Sequence, residues 1–220
     1  MTASTDGKVR IVDLEAGKVL SEFEAAENNP NKRWRAAFSA DGGTVAALSE
    51  KAWGLFDART GKLHKDLESR RPDKGEKDQV APAFQRAAFV QCLAVSADGR
   101  LAAAGTNWSL LRVWDAKTGK VLRGLASAGH TFWGIAFSPD GRFLATAGDR
   151  ERTVRLWRVA DGAELTSFSG HEADVYSVAF APDGRSIYSG AADCTILRWD
   201  MTRWVAAAAK IPEPEGGKGK

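Results

Sequence analysis

Apolar and polar residues alternate along the chain in short runs broken by turn residues. The clearest case is Gly170 to Asp200, GHEADVYSVAFAPDGRSIYSGAADCTILRWD. It holds an apolar alternation up to Phe180, a turn at Pro182-Asp183-Gly184, a second alternation to Tyr188, a turn near Asp193 and a last run ending on Trp199-Asp200. Period-two alternation between turn signals predicts short, half-buried β-strands. The remainder of the chain holds earlier, more diverged copies of this stretch.

Two independent anchors fix the copies. The turn between the first two strands is Ser39-Ala40-Asp41-Gly42, Ser96-Ala97-Asp98-Gly99, Ser138-Pro139-Asp140-Gly141 and Ala181-Pro182-Asp183-Gly184. Pro presets φ for a turn and Gly accepts the positive φ that follows. The third strand ends at Val12-Asp13, Phe56-Asp57, Trp114-Asp115, Trp157-Arg158 and Trp199-Asp200. The turn anchors are 57, 42 and 43 residues apart, and the strand anchors 44, 58, 43 and 42. Both series place one excess in the same interval, so repeat and insertion are real. A third signal follows the first four copies, a turn at Gly17, Gly61, Gly119 or Gly162 leading into a further short apolar strand. In the fourth copy the four strands fall at Trp133–Ser138, Phe143–Ala147, Val154–Val159 and Glu164–Phe168.

A four-stranded unit of this period, closed by Trp-Asp, resembles the WD repeat of β-propellers. The resemblance covers residues 4 to 204 and implies an all-β fold of four-stranded antiparallel blades, about four to five in number. The blades expected are 1–23 (partial, because Met1–Ser4 aligns with Leu144–Ala147 in mid-strand), 34–67, 87–125, 132–168, and 175–204, which lacks a clear outer strand. The excess residues form a charged loop at 66–85, and 205–220 is expected to make one helical turn and then a disordered tail. A chain with such ends is expected to be a partial or open arc that closes as a strained five-blade ring, self-associates through its terminal blades or, as a start in mid-strand favours, belongs to a longer bacterial signalling protein.

The family resemblance also implies a hydrogen-bonded chain of His, Ser or Thr, Asp and Trp within a blade. The last copy carries all four, as His171, Ser189, Asp193 and Trp199. The fourth has His130, Thr146 and Trp157, with Asp149 or Glu151 as the acid. The third keeps Trp114 but has Ala103-Ala104-Gly105 in its second strand, and the second copy has Phe56 in place of Trp. A structural network is expected rather than a Ser-His-Asp nucleophile, since the indole completes the chain and nothing supplies an oxyanion hole. Stability should then rise toward the C-terminus.

Four residues before Phe38, Val95, Phe137 and Phe180 stand Trp34, Gln91, Trp133 and Tyr176. One repeated position would place these side chains at the start of each first strand, near the central channel. They either pack between blades or form a surface for partner peptides, as residues there do in related propellers. Arg33 and Arg35 beside Trp34 add residue types common at interface hot spots.

Composition narrows the classes further. A hydrophobic content of 44% with 27% charged residues is that of a globular chain. A net charge of +3, with Arg70-Arg71 offset by neighbouring acids, gives no nucleic-acid patch. No apolar run approaches the roughly 18 residues of a membrane span, and Met1–Arg10 has no signal core, so no membrane partner and a cytoplasmic location are expected. Cys92 and Cys194 lack metal spacing and are expected to be buried, inert thiols. The Asp-Gly turns lack calcium-loop spacing, and His64 sits in a solvated strand, so no metal or cofactor is implied. The function expected is a non-catalytic platform binding other proteins or peptides through its faces and the 66–85 loop. The alternative is an enzyme with a site at the channel mouth.

Overall fold

The computed structural model describes residues 2–3, 8–13, 15–24, 36–48, 53–67, 90–106, 110–126, 131–148 and 152–208. They form five antiparallel sheets. The first contains β1 (Thr2–Ala3), β2 (Lys8–Asp13) and β3 (Lys18–Glu24); the second β4 (Ala36–Phe38), β5 (Thr44–Leu48), β6 (Trp53–Asp57) and β7 (Leu63–Asp66). The third has β8 (Val90–Val95), β9 (Leu101–Thr106), β10 (Leu110–Asp115) and β11 (Val121–Ala126); the fourth β12 (Phe132–Phe137), β13 (Phe143–Gly148), β14 (Thr153–Arg158) and β15 (Glu164–Ser169). The last has β16 (Val175–Phe180), β17 (Ser186–Ala191) and β18 (Ile196–Asp200), followed by helix α1 (Thr202–Ala208). Each sheet is an up-and-down meander, and β4, β8, β12 and β16 are neighbours in succession. The fold is a partial β-propeller of five blades.

The turn residues explain why the chain folds back where it does. Gly42, Gly99, Gly141 and Gly184 have φ between 69° and 71°, a region that costs L side chains strain. In three of these turns the preceding serine closes the loop: Ser39, Ser96 and Ser138 donate to the Asp two residues on. The same hydroxyls accept the amides of Thr44, Leu101 and Phe143, each at 2.9 Å. At the other end of the meander, Asp57 and Asp115 accept from the amide and hydroxyl of Thr60 and Thr118 at 2.6–2.8 Å. The Thr60 hydroxyl first, then its amide, hold Asp57 below the usual carboxylate range. The fourth sheet reverses the charges, with Arg158 donating to Asp161 through Nε and Nη2. That guanidinium lowers Asp161 to about 2.

Packing runs from sheet to sheet. Val9, Ile11 and Phe23 of the first cluster with Val45 and Phe56 of the second, and Leu55 and Leu67 of the second with Ala104 and Trp114 of the third. Val113 and Leu125 meet Leu144 and Trp157, and Leu156 meets Val175, Ile187 and Met201. Each third-strand aromatic therefore shares a cluster with a residue in, or directly after, the fourth strand of the sheet before it. Phe56 stacks on Phe23 at 4.7 Å and Trp199 on Phe168 at 5.4 Å. Among the described residues no such cluster joins the first sheet to the last.

Several sequence expectations change here. Thr2 pairs with Arg10, as Thr146 pairs with Arg155, so Thr2 takes the place of Thr146. The sequence alignment is off by one because the first copy's connection to its third strand is one residue shorter. The helical turn expected after Trp204 starts earlier, in a helix from Thr202 to Ala208 that is capped by Asp200 accepting the Thr202 amide at 2.8 Å. Cys194 is exposed, whereas Cys92 is buried. Cys194 occupies a tight turn at φ 63°. The 68–85 part of the predicted loop lies outside the described residues, as do 209–220.

Candidate protein-interaction site

The last sheet assembles all four of its predicted polar residues. Trp199 Nε1 donates to Ser189 Oγ at 2.8 Å, and Ser189 Oγ lies 2.7 Å from His171 Nε2. His171 Nδ1 lies 2.9 Å from Asp193 Oδ2. The order that uses each proton once is indole to serine, serine to Nε2, and Nδ1–H to the carboxylate. The Glu172 amide and the Thr195 amide and hydroxyl also donate to Asp193. The Thr195 hydroxyl, ahead of those amides and His171, holds Asp193 well below the usual carboxylate range. Thr195 is a member that sequence reasoning missed; its signal was the Asp-x-Thr spacing that recurs at Asp200 and Thr202.

The fourth sheet repeats the inner half of this chain, Trp157 Nε1 donating to Thr146 Oγ1 at 3.0 Å. His130, Asp149 and Glu151 lie outside the described residues. In the third sheet Ala104 stands where Thr146 and Ser189 stand, and in the second Ala47 does, beneath Phe56. The centre of the network is buried, with His171 6% and Ser189 2% exposed, and its ends, Asp193 and Trp199, are half-buried. Ser189 Oγ lies between an indole and an imidazole.

The repeated position at the start of the inner strands behaves differently. Gln91, Trp133 and Tyr176 line one cleft of about 210 Å³, together with Ala36, Leu93 and Val178. Trp34 lies outside the described residues. β8, β12 and β16 each carry a register shift at this point, between Val90 and Cys92, Phe132 and Gly134, and Val175 and Ser177. The irregular residue in each is Gln91, Trp133 or Tyr176, so a β-bulge turns the same position of three strands out of the pleat. Gly134 lets the strands close up, because a Cβ there would sit 3.0 Å from the Tyr176 carbonyl oxygen. Trp133 meets Tyr176 edge to face at 5.9 Å, and Tyr176 is 50% exposed. Gln91 Oε1 and Trp133 Nε1 are buried without a hydrogen-bond partner. One accepts and the other donates. Trp133 is half-buried and Tyr176 half-exposed at this position.

Among the described residues there is no group of His, Cys, Asp or Glu able to hold a metal ion, and no helix long and apolar enough to cross a membrane.

Four-stranded meanders stacked face to face, each ending its third strand on Trp-Asp or a variant, define a propeller of repeated blades. Residues 83–115, 119–158 and 162–200, just over half of the chain, match the family described as WD domain, G-beta repeat. The chain belongs to the WD40 repeat family. It is similar to the WD repeat-containing protein SL1-17 of Schistosoma mansoni, with 29% identity over 147 residues. That match takes in 66% of this chain and 42% of the relative, so the chain spans less than half of that protein's length. The matched repeats are the last three sheets; the first two join them through their geometry. Members of this family generally mediate protein–protein interaction.

Proposed function

We propose that the chain is a non-catalytic platform that binds a partner protein or peptide at the Gln91–Trp133–Tyr176 cleft. The observation that carries this is the bulge repeated in three inner strands, which brings one position of three blades to a single cleft and leaves Tyr176 half-exposed there. Exposed aromatics beside buried polar groups are what interface hot spots are made of. The buried Ser189–His171–Asp193 chain argues against the enzyme reading, since its serine is committed to Trp199. The two free cysteines fit a reducing, cytoplasmic setting.

The test compares Tyr176→Ala with a control, Tyr188→Ala, on a different surface. A partner identified with the wild-type chain should lose at least tenfold in affinity to Tyr176→Ala and keep its affinity for Tyr188→Ala. Thermal unfolding of Tyr176→Ala should stay within a few degrees of wild type. Equal binding by the two variants overturns the cleft as the site.

A further inference from the structure

Three of the joints between successive sheets are made by the same cross-strand pair. Ala46 lies opposite Leu55, Ala103 opposite Val113 and Ala145 opposite Leu156. All six are 0–1% exposed, covered by the sheet that follows. In the last sheet the pair is Tyr188 opposite Arg198. Tyr188 is 42% exposed, and Arg198 is exposed too. Ile196, at the place of the fully buried Leu111 and Val154, is 76% exposed.

The change comes from an exchange of neighbours. The third strands contain Val9-Arg10-Ile11, Leu111-Arg112-Val113 and Val154-Arg155-Leu156, but Ile196-Leu197-Arg198. In the first three the aliphatic residue after the arginine faces the following sheet. In the last, Leu197 lies near Gly170 beside Trp199, and the charge sits on the open face. Another sheet of the same kind does not fit there. Tyr in place of Ala overfills the joint, and Arg in place of Leu would take an unpaired charge out of water.

The face is instead complementary to itself. Asp200 follows Arg198 by two residues, so both project from the same side of β18, about 7 Å apart. Asp200 uses Oδ1 for the Thr202 amide and hydroxyl. Among the described residues Arg198 has no hydrogen bond or ion pair; it acts on Asp200 only as a nearby charge. A two-fold axis between the two residues sets Arg198 of each copy over Asp200 of the other. Faces packed about 10 Å apart are within reach of an arginine. We propose that this face docks a second copy of the chain, giving a two-fold dimer with crossed Arg198–Asp200 pairs around buried Tyr188 and Ile196. An isologous contact of this kind closes on itself and leaves the cleft free.

Sedimentation equilibrium over rising concentration tests it. The wild-type chain should reach twice the monomer mass. Arg198→Glu and Asp200→Arg should each weaken association at least tenfold, and their equimolar mixture should restore it, because the mixed dimer keeps one native Arg198–Asp200 pair and re-forms the other with its charges exchanged. Asp200→Arg also removes the cap of α1, so Tyr188→Asp serves as a disruption that leaves the cap intact. A wild-type chain monomeric at every concentration, or a dimer indifferent to Arg198→Glu and Tyr188→Asp, overturns the proposal.

Discussion

The second and last sheets fill the same slot with different chemistry. In the second, Phe56 stacks on Phe23 and shares an apolar cluster with Ala47. In the last, Trp199 stacks on Phe168 and sends its indole proton through Ser189 to His171 and Asp193. The stack is common to both, so apolar contact with the preceding sheet is the constant requirement. The hydrogen-bonded chain is what an indole demands once it is buried, because an unpaired donor costs about 1–3 kcal/mol.

The largest effect that tests this contrast is Ser189→Ala. It strands the Trp199 N–H and the His171 acceptor together, and should cost about 2–4 kcal/mol by denaturant unfolding. Adding Trp199→Phe should cost less than the sum of the two single changes, since the indole no longer needs an acceptor. An additive result would mean the chain is not a unit. Next comes Phe56→Trp, which places an indole over Ala47 without an acceptor and should cost about 1–3 kcal/mol. Ala47→Ser in the same chain should recover most of that loss; no recovery would show that ring size, not the stranded proton, sets the cost.

Acid should act on the turns in a smaller, graded way. Asp161 is lowered to about 2 by Arg158. Its contribution is complete above the ordinary carboxylate range near pH 4 and is lost as pH falls toward 2. Arg158→Thr, which imports the arrangement's neutral counterpart, should make that acid loss less sensitive to added salt, as read from thermal melts at low pH. An unchanged salt response would remove the ion pair from the account. The smallest expected difference is in hydrogen exchange, where β17 amides should be better protected than those of β5. Equal protection would mean that the stack alone sets local stability.

Much of this was open to reading from sequence because the repeat supplied internal controls. Turns at Gly42, Gly99, Gly141 and Gly184 and third strands ending at Trp114, Trp157 and Trp199 could be compared with one another, which fixed strand identity and order. The polar chain at His171, Ser189, Asp193 and Trp199 was legible for the same reason. What escaped is set by geometry that spacing does not encode. Thr2 slipped by one because a shorter connection changes register without changing hydrophobic pattern. Cys194 was assigned inward by its residue type, although a left-handed turn points it to solvent. The role of Ser39, Ser96 and Ser138 was written in the repeat but looked like generic turn composition. The bulges at Gln91, Trp133 and Tyr176 left no mark in the alternation, since one extra residue in a strand resembles a slightly longer one.

The backward direction of each aromatic contact bears on how the chain is made. Phe23, Leu67, Leu125 and Phe168 are covered by Phe56, Trp114, Trp157 and Trp199 of the next sheet. During synthesis each sheet therefore waits, its last strand bare, while 31 residues (Phe168 to Trp199) to 47 residues (Leu67 to Trp114) are added. At about 5–20 residues per second the wait is on the order of seconds. Assembly is vectorial, each newcomer latching its predecessor, and the interval with the longest bare edge is the one spanning the inserted loop.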